Sequence, residues 1–448
     1  MVVELADQIK RLLDERNHME LKRTIERRHP SEIARVLEEL APETVGFVFR
    51  LLPKDHAIEV FDFMDVDKKQ VLLHSLSSDM VATLLNEMSP DDRTELFEEL
   101  PAKVVKKYLS LLSENERHLA NILLGYREKS AGRLMTTDFV DLKEDQTVDD
   151  ALNHVRRTAP DKETIYLLYV ISRDRRLVGG LSLKELMLAP GNKLIREIMH
   201  RDIVSVSTET DQEEVARIFE EYDFIAVPVV DKEGRLVGII THDDVLDVVR
   251  EEDTEDIHIM AGMSTLEEGY FKMSLTGSVK KRMGWLGLLI LLESFSSNII
   301  KLYSTSLESI VALAFFIPML TDTGGNTGTQ SSTLVIRGMA TGEIELGEGM
   351  RVLLREVATG LMLGALLGVF AYVRSYMTHR DARIAVVVGL SLFVVIVISN
   401  VVGAFLPLAA KRLRLDPAVM AGPLITTIVD IVGLMVYFEL ARLAFGIK

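Results

Sequence analysis

Pro423-Leu424-Ile425-Thr426-Thr427-Ile428-Val429-Asp430-Ile431-Val432-Gly433 is an apolar run with one carboxylate at its centre, set inside the longer hydrophobic stretch Val419–Phe445. About 20 apolar residues in a helix cross a bilayer, so this stretch reads as a membrane span. Trp285–Ile300, Ile310–Leu320, Val357–Val373 and Ile384–Leu408 have the same character and are nearly free of Lys and Arg. The sequence therefore predicts five spans, at about 284–303, 307–334, 352–375, 384–410 and 418–445. A charge at the bilayer centre costs roughly 3 kcal/mol or more unless it is paired or hydrated. Intramembrane cation candidates lie only at span ends, so Asp430 reads as the wall of a hydrated cation path rather than half of an ion pair. Such a group, with water and backbone carbonyls, suits Mg²⁺, which usually keeps several of its waters.

A second segment is equally unusual for a span: Pro318-Met319-Leu320-Thr321-Asp322-Thr323-Gly324-Gly325-Asn326-Thr327-Gly328-Thr329-Gln330-Ser331-Ser332. Polar or irregular backbone at membrane depth is tolerated only inside protein or along a water cavity. Close helix packing alone would account for the glycines, but Asn326 and Gln330, four residues apart on one helical face, add oxygens suited to a pore. Glu293 in the first span reads equally well as a structural carboxylate or an ion contact.

Charge divides the chain. Residues 276–448 hold 15 Lys/Arg against 11 Asp/Glu, which leaves residues 1–275 with 36 against 56, a net charge of −20. An acidic soluble part argues against nucleic acid, whose phosphates select basic surfaces. The absence of cysteine excludes thiolate metal sites, thiol nucleophiles and disulfides, so any metal is held by oxygen or histidine, which favours hard cations. No charged leader with a short apolar region and cleavage site opens the sequence, so the N-terminal part is expected in the cytosol. Lys280, Lys281, Arg282, Arg337, Arg351, Arg355, Lys411, Arg412 and Arg414 then flank the spans inside, against Lys301, Arg374, Arg380, Arg383, Arg442 and Lys448 outside. That is the positive-inside bias.

Residues 1–130 read as short amphipathic helices, with apolar positions at helical spacing in Glu32–Leu40, Thr44–Leu52, Ala57–Met64, Asp79–Met88 and Asp91–Leu100. Pro53, Pro90 and Pro101 are placed where new helices begin, which predicts an α-solenoid-like domain. From about Ala131 strands alternate with helices in two copies of one unit. The first has helix Val148–Arg157 and strands Ile165–Ile171 and Leu177–Ser182. The second has helix Asp211–Tyr222 and strands Ala226–Val230 and Leu236–Thr241. Val227-Pro228-Val229-Val230-Asp231 with Gly234-Arg235-Leu236-Val237-Gly238-Ile239-Ile240-Thr241 resembles a cystathionine-β-synthase-type (CBS) domain. Tandem CBS pairs are regulatory modules that bind adenine nucleotides or ions and do no chemistry. Residues 245–282 read as one long helix leading into the first span.

Gly324-Gly325-Asn326-x-Gly328-x-Gln330, with Asp416-Pro417-Ala418 and Pro423-Leu424-x-Thr426-Thr427-x-x-Asp430-x-x-Gly433, resembles the MgtE family of Mg²⁺ transporters, and the resemblance covers nearly the whole chain. It implies a multidomain membrane protein: a helical N-terminal regulatory domain (1–130), tandem CBS domains (131–248), a connecting plug helix (249–282) and an all-α five-helix pore domain (283–448). It also implies a homodimer in the cell's inner membrane, with Mg²⁺ as the transported ion and Asp430 holding it. Thr426 and Asn326 are the accompanying pore positions. By the same resemblance cytosolic Mg²⁺ closes the pore by bridging acidic faces. The matching positions are Asp91 and Glu95 in the N-domain and Asp211, Glu213, Asp223, Asp244 and Asp247 in the CBS region. Glu252, Glu255 and Asp256 match on the plug helix, and Asp416 in the membrane part. Glu95 stands where the family pattern has aspartate. Taken residue by residue, each of these acids also reads as part of a solvated face. Alternatives are transport of another divalent ion such as Mn²⁺ or Co²⁺, or a membrane-anchored nucleotide sensor. The residues give no support to an enzyme: no nucleophile set, phosphate loop or His-metal motif is in place.

Overall fold

The computed structural model describes residues 2–264, 273–304, 308, 310–420 and 422–446, in two compact units, Met1–Arg250 and Glu251–Lys448.

The first unit begins with ten helices: α1 (Val2–Asp14), α2 (His18–Glu26), α3 (Pro30–Glu38), α4 (Pro42–Phe49), α5 (Lys54–Asp62), α6 (Val66–Ser75), α7 (Ser78–Glu87), α8 (Pro90–Glu98), α9 (Ala102–Leu109) and α10 (Glu114–Leu123). Each is too short to be stable alone, and their apolar stripes share one core running from Leu5 and Ile9 through Val48, Phe49 and Phe61 to Leu96 and Ala120. Proline starts α3, α4 and α8 at the first helical position, where its missing N–H costs nothing. Pro53 and Pro101 stand one residue earlier, as the capping residues of α5 and α9. Arg93 is wholly buried among these helices, its terminal nitrogens donating to the Leu85 carbonyl (3.0 Å) and Glu116 (2.5 Å) while Nε is left without a partner.

The remainder of this unit is the duplicated α/β module. After the short turn of helix α11 (Ala131–Leu134), copy one contains β1 (Asp141–Lys143), α12 (Val148–Thr158), β2 (Leu167–Ile171), β3 (Leu177–Ser182) and α13 (Leu183–Leu188). After α14 (Ile195–Ile198), copy two contains β4 (Val206–Ser207), α15 (Gln212–Tyr222), β5 (Ala226–Val230), β6 (Leu236–Thr241) and α16 (His242–Met260). Both sheets have the same order, with the first strand parallel to the second and the second antiparallel to the third. Both shift register at the same place, Val170/Ile171 and Val229/Val230. The copies exchange their lead-in segments. Thr136 pairs with Ile239 of copy two (2.8 and 2.9 Å), and His200 pairs with Gly180 of copy one (2.9 and 3.0 Å). Gly179 and Gly238 leave room for Met199 and Met135 at these crossings, where a Cβ would lie 2.8 and 2.6 Å from the methionine sulfurs.

The expected single helix over 245–282 is corrected. α16 ends at Met260, with Gly262 at φ +69° and the Met263 N–H bonded back to the His258 carbonyl at 2.9 Å. This is a glycine-terminated cap that satisfies the last carbonyls, so Ala261-Gly262 is the stop that the periodicity concealed. Residues 265–272 lie outside the described residues. Ser274 then caps a new helix, α17 (Leu275–Leu302).

In the second unit α17 is followed by α18 (Ile317–Ala340), α19 (Gly349–His379), α20 (Ala382–Arg412) and α21 (Pro423–Phe445). Among the described residues four segments, Leu275–Leu302, Leu346–His379, Ala382–Arg412 and Pro417–Phe445, are long and apolar enough to cross a membrane. α18 is long enough but too polar to be recognised by composition. Its helix also begins later than the expected 307, after a 3₁₀ segment, Val311–Phe316, and residues 305–307 lie outside those described. α19 and α20 form a close hairpin: Gly360, Gly364 and Gly368 on α19 face Val397, Phe393 and Gly389 on α20, small residues letting two backbones approach.

Candidate functional site

The membrane unit separates the two readings of the glycine-rich segment. A Cβ on Gly324 would lie 2.7 Å from Val395 Cγ1 and 2.9 Å from Val429 Cγ1. On Gly328 it would lie 2.7 Å from Ile425 Cγ2, and on Gly325 3.0 Å from Thr426 Cγ2. The glycines are thus used for packing, and they set α18 antiparallel to α21 with Gly325 beside Thr426 and Gly324 beside Val429. The polar side chains use another face. Asp322, Asn326, Gln330, Thr333 and Arg337 are all exposed, and at about 100° per residue they fall within about 80° of one another. No lipid-facing helix carries such a stripe without cost.

Asp430 is half-buried on α21, and the carboxylates whose charges reach it are Glu293 on α17 and Asp322 on α18. Asn326 lies one turn along α18 from Asp322. Thr426 lies one turn along α21 from Asp430, with its hydroxyl donating to the Pro423 carbonyl (2.9 Å) and its methyl turned to Gly325. A feature that the sequence did not single out lies nearby: Ser331 Oγ is 2.8 Å from Glu356 Oε2 of α19 and 3.0 Å from the Asn400 carbonyl of α20. Nothing in the periodicity marked Glu356, which sits two turns inside a helix whose first turn is charged.

In the first unit, Asp91 in the first turn of α8 and Asp244 in the first turn of α16 come within reach of each other's charge, and so do Glu95 and Asp247. Asp244 accepts from Thr241 N (3.1 Å) and Oγ1 (2.6 Å), which fixes it at the head of α16. Burial, with Asp244 and Asp92 nearby, holds Asp91 well above the ordinary carboxylate range. Burial and the charges of Asp243 and Asp92 push Asp244 up to about 7 against its Thr241 hydrogen bonds. Two acids outside the predicted set join them. Asp62, the last residue of α5, is raised to about 7 by burial and by Asp92. Glu163, an exposed residue just before β2, is raised to about 7 by partial desolvation of its carboxyl and by Asp91, Asp243 and Asp92. Asp62 Oδ1 and Asp91 Oδ1 are sealed from solvent without a hydrogen-bond partner. Acceptor-only oxygens left in this way suit a hydrated cation. Among the described residues no three acids or imidazoles converge tightly enough to hold a metal ion.

The other predicted positions lie apart. Asp211 caps α15, accepting from Glu213 N at 3.2 Å, and Asp223 closes that helix at φ +53°. All three side chains are exposed, and none is among the charges acting on Asp91, Asp244 or Glu163. Glu252, Glu255 and Asp256 are half-buried on the second half of α16, and Asp416 is exposed and accepts from Ala418 N at 2.8 Å.

Three family models match: the MgtE intracellular N domain over residues 28–129, the CBS domain over 131–192 and 195–251, and the MgtE divalent cation transporter over 317–440. A magnesium transporter MgtE of Thermus thermophilus is 43% identical over 333 residues, 74% of each chain, and one of Bacillus subtilis is 36% identical over 78% of this chain and 77% of its own. The chain belongs to the MgtE family. Among solved structures, the cytosolic domain of the Mg²⁺ channel MgtE in complex with ATP is 40% identical, covers 54% of this chain and 99% of its own, and superposes with a TM-score of 0.52. The soluble part of a magnesium transporter, at 31% identity, gives 0.53. MgtE membership accounts for the order helical domain, CBS pair, membrane helices expected from the sequence. MgtE is a family of membrane transporters and not a class of enzymes.

Proposed function

We propose that this chain is a Mg²⁺ channel or transporter of the cell membrane whose ion path runs along the polar face of α18 and past Asp430. The observation that carries this reading is the stripe Asp322, Asn326, Gln330, Thr333 and Arg337, exposed on a helix packed against α20 and α21, both long and apolar enough to cross a membrane, with Asp430 beside its acidic end. Mg²⁺ is favoured over other divalent ions by the names of the relatives and by an all-oxygen donor set. A membrane-anchored sensor would need neither Asp430 nor the stripe.

The stripe of one chain cannot surround a hydrated ion, so the path lies on a twofold axis between two chains. The CBS module supports a symmetric dimer: Tyr166 and Met187 of copy one, and Ile225 and Leu246 of copy two, are exposed apolar side chains at equivalent places in the repeat. Such a face is complementary to itself under a twofold rotation. The same module is read as a nucleotide site, from the relative's ATP complex and a cleft here lined by Gly179, Arg201, Ser205 and Gly234. We read residues 1–130 and 131–248 as the regulatory part, closed by Mg²⁺ at the acidic face of Asp91, Glu95, Asp244 and Asp247. Asp211, Glu213, Asp223, Glu252, Glu255, Asp256 and Asp416 are read as further Mg²⁺-sensing positions outside that face.

The test is Mg²⁺ uptake by vesicles containing the purified protein. Asp430→Ala should abolish flux and Asp430→Asn should impair it, with the dimer intact. A folded Asp430→Ala dimer that passes Mg²⁺ at the normal rate would rule out this path.

A further inference from the structure

The acidic face holds a buried cation of its own, while at its exposed rim Arg250 pairs with Asp247 at 3.2 Å. Lys69, on α6, is only 3% exposed, a rare state for lysine. Its ammonium stands 5.8 Å from the centre of the Phe61 ring, next to Asp62, and its charge acts on both Asp62 and Glu95. Among the described residues no carboxylate comes within ion-pair distance of it. A lysine this buried, beside an aromatic ring and without an ion-pair partner, is an expensive arrangement unless the negative field around it repays the cost. That field comes from Asp62, Asp92, Glu95 and Asp247, the end of the cluster that includes the sealed, unpartnered Asp62 Oδ1.

We infer that Lys69 is a tethered competitor of the divalent ion, a built-in cation that sets the Mg²⁺ concentration at which the acidic face closes. The inference rests on the reading of that face as the Mg²⁺ sensor. A lysine is a compact point charge on a flexible four-carbon stem, so it neutralises part of the repulsion when Mg²⁺ is scarce and opposes the entry of a second cation when Mg²⁺ arrives. It carries one charge to the ion's two and cannot bridge as many oxygens, so enough Mg²⁺ overcomes it. The consequence has two sides. Without Lys69 the acidic face is looser in the absence of Mg²⁺, and it also closes at a lower Mg²⁺ concentration. Simple loss of stability gives the first effect without the second.

The experiment is limited proteolysis of the full chain in detergent at constant ionic strength, with MgCl₂ titrated against KCl, reading cleavage near Ala131 and Arg250. Lys69→Gln and Lys69→Met should be cut faster than the parent without Mg²⁺, yet reach half-protection at a Mg²⁺ concentration lower by about threefold or more. Lys69→Arg, which keeps the charge, should stay close to the parent. Lys103→Gln, an exposed lysine on α9, makes the same change in net charge away from the cluster and should leave the midpoint in place. A midpoint unchanged or raised in Lys69→Gln and Lys69→Met overturns the inference and leaves Lys69 a structural counter-charge, while the sensor reading stands. If Mg²⁺ protects neither linker in the parent chain, the sensor reading itself fails, and the inference with it.

Discussion

At the level of single residues, glycine divides by purpose. Gly324, Gly325 and Gly328 are packing residues: each faces a side chain of α20 or α21 at a distance that admits no Cβ without a shift. Gly328→Val should therefore force α18 and α21 apart and cost about 1–3 kcal/mol, the usual penalty of overpacking. The measurement is a lowered melting temperature of the protein in detergent, with Gly342→Ala, at an open turn with φ +74°, as a milder comparison. Asn326 was legible as a candidate because a polar amide in a span has few explanations. Asp62 and Glu163 were not legible. One ends an ordinary amphipathic helix and the other sits in a loop, and only the fold brings Asp62 near Asp92 and Glu163 near Asp91.

At the level of elements, the acidic face makes stability depend on pH. Asp62, Glu163 and Asp244 are raised to about 7, and Asp91 well above the ordinary range. The folded unit therefore holds more protons than the unfolded chain between the usual carboxylate range near pH 4 and about pH 7. Stability then falls as pH rises through that window. Amide protection in α8 and the head of α16, corrected for intrinsic exchange, should decrease from pH 5 to pH 8 without divalent ions. Millimolar Mg²⁺ should restore it at pH 8 and do little at pH 5, where the ligands are protonated. Protection independent of pH would mean that these carboxyls are not held against one another. The strands and helices of the CBS repeat were readable to within about two residues because their period switches cleanly. The break at Gly262 was missed because charged and apolar positions continue with helical spacing on both sides of it, and one glycine decides the local geometry.

For the molecule as a whole, the five-helix membrane part was legible from hydropathy, α18 only through the apolar stretch Ile310–Leu320 at its start, since the polar remainder fails a composition rule and also makes this helix the candidate pathway. Closure by Mg²⁺ should be steep, because many weak oxygen sites share one closed state. Removing residues 1–130 should leave Mg²⁺ flux that cytosolic Mg²⁺ inhibits less, measured in vesicles with both faces controlled. Unchanged inhibition would move the sensor elsewhere. Crosslinking or mass measurement of the active protein in detergent should give a dimer, and active monomers alone would refute the twofold path.

The exchanged lead-ins of the CBS copies bear on how such a module can exist at all. Thr136 completes the edge of β6 and His200 completes that of β3, so neither copy closes its own sheet. A solitary copy would present the Gly180 or Gly238 edge to solvent, and the segment shaped to cover it belongs to a second copy. Half of this module, produced alone, is therefore a strand edge in search of its complement. Joining the halves in one chain replaces a bimolecular search with a tethered one at millimolar effective concentration.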